Sequence, residues 1–224
     1  MSAADQKYTI AVIGGTGKEG YGLALRWANA GHRVIVGSRT EDKAQAAAGT
    51  INETLGRTAA AGAANPDAAS RADIIVLAVP FSAQQATAQD IRASLDGKIL
   101  IDVTVPLKPP KVNRVSLPDG RSAVEALQEK LGGTVKVVSA FQNVSAHHLT
   151  QLDHSIDCDV LVCSDDKDAA DLVVGLTEEI GLNAWNAGVL ANSVVAESLT
   201  SVLIALNQRY KVPGSGIRIT GITK

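Results

Sequence analysis

Aromatic residues are scarce: two Trp, three Tyr and two Phe make up 3% of the 224 residues. The core must therefore come from aliphatic and small side chains, an economy that suits Val/Ile-rich strands covered by closely packed Ala-rich helices. Cysteine is scarcer still. Cys158 and Cys163 lie five positions apart, fit neither a C-x-x-C redox pair nor a zinc pattern, and read as members of an apolar strand. Neither sign of charge dominates: the formal net charge is −2, with 20% charged and 46% hydrophobic residues. That balance speaks against a disordered, nucleic-acid-coating or membrane-surface protein and confines any basic site to a local patch. No apolar run approaches the roughly 20 residues that span a bilayer. The opening "MSAADQKYTI" lacks the apolar centre of a signal peptide, so the expected location is the cytoplasm, without membrane or nucleic-acid partners.

What is present is a rhythm. Tyr8–Ile13, Val34–Val36, Ile74–Val79, Ile99–Val105, Val135–Ala140 and Val160–Cys163 read as strands. Helical stretches fall between them at Gly17–Ala30, 41–56, 82–95, 121–131, 166–180 and 190–210, with Thr40, Ser82 and Ser122 near helix starts. Alternation of this kind predicts an α/β fold: a doubly wound, mostly parallel Rossmann-type sheet with a small C-terminal α/β lobe. Residues 106–121, "PLKPPKVNRVSLPDGR", hold four of the seven prolines and read as a long surface loop, either a linker or a flap over a ligand. The length admits one domain of ordinary size plus a small lobe, divided here as 1–145 and 146–224.

The first strand runs into Gly15-Thr16-Gly17-Lys18-Glu19-Gly20 and then a helix. In that context G-x-G-x-x-G is a dinucleotide fingerprint. The first glycine permits the tight turn, the second lets the backbone approach a pyrophosphate, the third lets helix and strand pack, and the helix N-terminus offers N–H donors. An Asp or Glu is expected at the end of the second strand, where it would accept from both ribose hydroxyls. This sequence has Ser38, Arg39 and Thr40 there, with Lys43 one turn on. Two hydroxyls, a guanidinium and an ammonium suit a 2′-phosphate, so NADP(H) is expected rather than NAD(H). Glu41 and Asp42 read as acidic residues in the first turn of the next helix.

Further along, "ADIIVLAVPF" sets Val79 and Pro80 at the carboxyl edge of the sheet, where open α/β sheets bind ligands, and "IDVTVP" sets Asp102, Thr104 and Val105 beside them. Val79 and Pro80 suit the flat side of a nicotinamide riboside. Asp102 reads first as a carboxylate capping its loop. Gln142 and Asn143 can hydrogen-bond a heterocycle edge or cap strand ends. His147, His148 and His154 have no acidic or cysteine partner at zinc spacing, and no metal is expected. The helix at 190–210 is apolar on more than one side and is either a core helix or a subunit interface.

"AVIGGTGKEGYGLALRWANAGHRVIVGSR", "ADIIVLAVPF", "KVVSAFQNVSA", "DVLVCSDD" and "NSVVAESLTSVLIALN" together resemble the NADPH-dependent reductases of the deazaflavin coenzyme F420, from about residue 8 to "GSGIRITGI". The resemblance implies reversible hydride transfer between NADP(H) and coenzyme F420 in a cleft completed by the C-terminal lobe, and a homodimer. It implies that Thr16, Ser38, Arg39 and Lys43 hold the 2′-phosphate and that Gly17, Lys18 and Glu19 meet the pyrophosphate. Val79, Val105 and Ala146 then line the nicotinamide side, and Gln142 and Asn143 face the substrate. Some relatives carry a His in "SALHTIPA" where this chain has Gln142 in "SAFQNVSA", and an amide cannot titrate near neutrality. Two alternatives stay open: a reductase of the same build acting on a flavin, metal chelate, carbonyl or imine, and a non-catalytic NADP(H) sensor. Hydride transfer between stacked rings requires no protein nucleophile, so no catalytic acid or base is assigned.

Overall fold

The structure, a computed structural model, describes residues 6–222. Residues 1–5, part of the segment read above against a signal peptide, lie outside the described residues. Six strands form one parallel sheet: β1 (Thr9–Ile13), β2 (Arg33–Ser38), β3 (Ala60–Ala64), β4 (Ile74–Leu77), β5 (Ile99–Asp102) and β6 (Lys136–Ser139), in the order β3-β2-β1-β4-β5-β6. The crossovers are α1 (Lys18–Asn29), α2 (Glu41–Leu55), α3 (Asn65–Ser70), α4 (Phe81–Asp90) and α5 (Ala123–Leu131). The strand order reverses between β1 and β4, which places a crevice at their carboxyl ends.

The strands read as near-continuous aliphatic runs because both faces are covered. Along β1, Ile10 and Val12 pack on one face with Trp27 and Leu23 of α1, while Ala11 and Ile13 pack on the other with Ile75 and Leu100. Phe141 meets Trp27 edge-to-face at 5.6 Å, so two of the chain's few aromatics pin β6 to α1.

Beyond β6 come α6 (Ala146–Leu149), β7 (Asp159–Val162), α7 (Lys167–Glu179), β8 (Asn183–Asn186) and α8 (Ser193–Tyr210). β7 and β8 pair in parallel as a second, two-stranded sheet, joined to the first by an antiparallel bridge between Ser139 and Cys163. The small C-terminal sheet is thus continuous in space with the edge of the large one.

Several expectations need adjusting. Two strands and two short helices were not anticipated: β3, β8, α3 and α6. α4 starts at Phe81 after Pro80, so Ser82 lies inside the helix rather than capping it, whereas the Ser122 hydroxyl does cap α5 by accepting from Glu125 N at 2.9 Å. His147 and His148 belong to α6. Leu190–Tyr210 is by length and composition long enough to cross a bilayer, contrary to the reading that no run approaches that length. Within the fold, however, the α8 side chain Glu197 is buried and accepts from Ala123 N at 2.8 Å and Val124 N at 3.1 Å, which caps α5 and fastens α8 to the body.

Candidate functional site

The glycine turn is tied to the tip of β2. Gly14 N–H and Gly15 N–H both donate to the Gly37 carbonyl at 3.1 Å, and Gly17 N–H donates to Gly14 O at 2.9 Å. Gly14 has φ +80°, and a Cβ there would stand 2.4 Å from Ala78 O. The turn conformation therefore belongs to Gly14, one residue ahead of the expected Gly15, whose own Cβ would press on Val12 O at 2.8 Å and Val36 at 3.0 Å. Gly20 has the expected packing role: a Cβ there would meet Gly14 O at 2.7 Å and Gly15 Cα at 3.0 Å. Gly17 has only Gly14 O at 3.3 Å nearby, and Thr16, Gly17 and Lys18 are exposed, leaving the helix N-terminus open to an anion.

The same tether brings the end of β2 beside the turn. Ser38 is buried, with its hydroxyl accepting from Thr40 N at 3.3 Å, while Arg39, Thr40 and Lys43 are exposed. Among the described residues neither Arg39 nor Lys43 is hydrogen-bonded or ion-paired, and the Glu41 carboxylate is taken by Gln45 Nε2 at 2.9 Å. Two cations without a hydrogen-bonded or ion-paired partner among the described residues therefore stand at this corner. Asn65, at the start of α3, adds an unpartnered buried Oδ1 that a Cβ on Gly37 would approach to 3.0 Å. No sequence signal pointed to Asn65, because β3 before it was not anticipated.

Val79 adjoins the turn, its Cγ1 lying 2.7 Å from where a Gly14 Cβ would be, and Pro80 is exposed as the residue preceding α4. Val105 is half-buried beyond the tip of β5. Across from α1, a cavity of about 580 Å³ has Thr16, Gly17 and Lys18 on one wall and Ser145, Ala146 and His147 on the other. The structure thus brings Ala146 to the glycine turn, 130 residues away in sequence. Ser145, Tyr21 and Thr150, which also line this space, were not singled out by the sequence, and His147, weighed there only as a metal ligand, lines it too. The spacing is set by Gly22, where a Cβ would fall 2.4 Å from Leu149 Cβ, so α1 and α6 approach as closely as their backbones allow.

Gln142 and Asn143 are both buried. Gln142 Nε2 donates to Asp102 O at 2.8 Å, and Asn143 Nδ2 donates to Ala196 O at 2.7 Å, so both amides hold backbone. Gln142 Oε1 is left without a partner. Asp102, wholly buried, caps its loop as expected, accepting from Thr104 N at 2.8 Å, and also accepts from Gln84 Nε2 at 2.6 Å. Burial pushes its carboxyl above the usual range. Burial, with Asp102 close by, also pushes Glu19 up to about 8, and burial is the first cause that pushes Glu197 up to about 7.

The glycine cradle, the unpaired Arg39 and Lys43 and the orphaned Asn65 oxygen fit a phosphorylated dinucleotide. Fold and site together define a Rossmann-type NADP(H)-dependent oxidoreductase. The profile described as NADP oxidoreductase, coenzyme F420-dependent, matches residues 9–106. The F420-dependent NADP reductase of Methanothermobacter thermautotrophicus is 44% identical over 220 residues, covering 95% of each chain. That of Methanocaldococcus jannaschii is 40% identical over 221 residues, covering 95% of this chain and 98% of its own. The chain belongs to the F420-dependent NADP reductase family. A crystal structure of a candidate F420-dependent NADP reductase from Arthrobacter sp. FB24 superposes with a TM-score of 0.79 at 27% identity, covering 95% of this chain and 99% of that one. Plasmodium falciparum pyrroline carboxylate reductase, solved with NADP bound, shares the fold at a TM-score of 0.61 and 16% identity, covering 91% of this chain and 66% of its own.

Proposed function

We propose that the protein transfers a hydride reversibly between NADP(H) and coenzyme F420, with the 2′-phosphate held by Thr16, Ser38, Arg39 and Lys43. One observation carries the cofactor choice: the unpaired cations at the tip of β2 are tethered, through Gly37, to the glycine turn. Family membership carries the choice of acceptor. The nicotinamide supplies the hydride, and the protein's part is to fix two flat rings at roughly 3–3.5 Å in a water-poor cleft. Gly15, Gly17, Lys18, Glu19 and Gly20 form the pyrophosphate cradle through backbone. Val79, Pro80, Val105 and Ala146 present apolar surface to the nicotinamide side. Gln142 and Asn143 shape the wall on the substrate side, acting by fixing the Asp102 and Ala196 backbone.

In this reading residues 1–145 hold the dinucleotide and 146–224 close the cleft, and the working form is a cytoplasmic homodimer. The test is anaerobic mixing of the protein with NADPH and oxidised coenzyme F420. The visible absorbance of the deazaflavin should bleach with one NADPH consumed per deazaflavin. Bound NADPH with no bleaching would shift the acceptor to another class, such as a flavin or an imine.

A further inference from the structure

The reading above gives every phosphate of NADP(H) a place: the pyrophosphate at the glycine turn and the 2′-phosphate at the tip of β2. The cavity of about 580 Å³ between α1 and α6 shares Thr16, Gly17 and Lys18 with that turn. It then extends to Tyr21, Ser145, His147 and Thr150, to which no part of the dinucleotide is assigned. None of its eight lining residues is acidic. The Lys18 ammonium is exposed, with no hydrogen-bonded or ion-paired partner among the described residues, and the adjacent Glu19 carboxyl lies by Asp102 rather than in this cavity.

Opposite Lys18, His147 is exposed at the second position of α6. The Gln151 amide nitrogen, a donor only, stands 3.3 Å from His147 Nε2, so Nε2 accepts and the ring's proton sits on Nδ1, which is left to donate. The hydroxyls of Ser145 and Tyr21 have no hydrogen-bond partner among the described residues and can donate too. One cation and three neutral donors, with no carboxylate beside them, suit an anion that has several acceptor oxygens. The volume lies in the range that encloses a small organic ligand and far exceeds what one inorganic ion fills.

We propose that this cavity is the subsite for the anionic side chain of the deazaflavin, its phosphodiester met by Lys18, His147 Nδ1–H and the Ser145 and Tyr21 hydroxyls. The inference rests on the activity proposed above. Coenzyme F420 carries a phosphodiester and glutamyl carboxylates beyond its ribityl chain, and these are the anionic groups that remain once the dinucleotide is seated. Ala146 belongs to the cavity wall and, in that activity, to the nicotinamide side, so a chain leaving the stacked deazaflavin has the cavity beside it. The subsite makes no contact with the reacting atoms. Its work is selection: it separates the coenzyme from a deazaflavin nucleoside that has the same ring and no anionic chain.

The test compares binding of oxidised coenzyme F420 to the full-length protein with that of the nucleoside left when the phosphodiester side chain is removed. Both are followed by their own fluorescence with NADP+ present, so that no hydride moves. The wild type should bind the coenzyme about tenfold or more tighter than the nucleoside, and the gap should narrow as salt is added. His147→Ala and Lys18→Gln should each weaken the coenzyme by about threefold or more while leaving the nucleoside within about twofold, and the double variant should nearly abolish the preference. NADPH affinity of His147→Ala should stay within about twofold of wild type. Equal affinity for the two deazaflavins, or equal losses for both in the variants, overturns the subsite. A His147→Ala loss confined to NADPH gives the cavity to the dinucleotide and overturns it as well. Failure of the activity reads differently: a coenzyme that binds with the expected preference and yet is not bleached by NADPH removes the hydride transfer and leaves the subsite standing. Binding of neither deazaflavin overturns both.

Discussion

At the tip of β2, Ser38, Arg39 and Thr40 replace the acidic residue that would read an unphosphorylated ribose, and the structure leaves Arg39 and Lys43 exposed and unpaired. A guanidinium on a phosphate makes charge-assisted bonds each contributing about 1.5–3 kcal/mol, and without a dianion to meet it gains little. Arg39→Ala should therefore lower NADPH affinity by about tenfold or more, roughly 1.4 kcal/mol, while leaving NADH affinity nearly unchanged in fluorescence titrations. Equal losses for both dinucleotides would remove the phosphate from this corner. This part of the site was legible because its chemistry is written in consecutive residues. Gln142 and Asn143 were less so: residue type says that an amide can meet a ligand, but not that its N–H groups are already committed to Asp102 O and Ala196 O. Gly14 was passed over for Gly15 because only Gly15 fits the G-x-G-x-x-G spacing, whereas the left-handed backbone and the close approach to Ala78 O fall one residue earlier.

Among the elements, α1 does the most joining. Its Arg26 is buried, and its guanidinium donates to Leu149 O at 2.9 Å, His148 O at 3.1 Å, Gln151 O at 2.8 Å, His154 O at 3.2 Å and Ile180 O at 3.1 Å. One side chain thus satisfies the end of α6, the segment after it and the end of α7, and so holds Ala146 against the glycine turn. Arg26→Met keeps much of the apolar stem but removes the guanidinium donor from all five carbonyls, of which His148 O and Gln151 O keep backbone donors in Gln151 N and His154 N. A loss of at least about 3 kcal/mol is expected in urea unfolding, with faster amide exchange confined first to residues 146–156. Arg26→Lys should recover only part of it, because an ammonium cannot reproduce the planar fork. Unchanged exchange in that segment would show that α6 is held by the Gly22–Leu149 contact alone. This anchor was not legible beforehand, since an Arg in an amphipathic helix ordinarily faces water. The sequence was equally silent on β3. "AAGAA" has no β-branched residue, and becomes a strand because small side chains admit α2: a Cβ at Gly62 would fall 2.2 Å from Gln45 N. Long Val/Ile strands and capped helices were readable; elements defined by what packs on them were not.

For the molecule as a whole, the question of assembly turns on the exposed side of α8. Its inner side is committed, with Ala196, Glu197, Ser201 and Leu203 buried. Val195, Val202 and Leu206, spaced seven and four residues apart on one stripe, are 57%, 44% and 39% exposed, and Val189 and Tyr210 extend the apolar strip at either end. An apolar stripe along an 18-residue helix is more than scattered surface hydrophobicity, and a second copy of the same face can cover it about a two-fold axis. A membrane is the other apolar environment available to such a helix, but extracting α8 would uncap α5 and bare Glu197, so pairing in water is the expected outcome. Sedimentation of the protein at micromolar concentration should give a dimer. Val202→Asp should shift it toward monomer while NADPH still binds, because the substitution lies on the exposed stripe and leaves the glycine turn and the tip of β2 untouched. A monomer at all concentrations for the unaltered chain, or a dimer indifferent to Val202→Asp, would move the subunit contact away from α8.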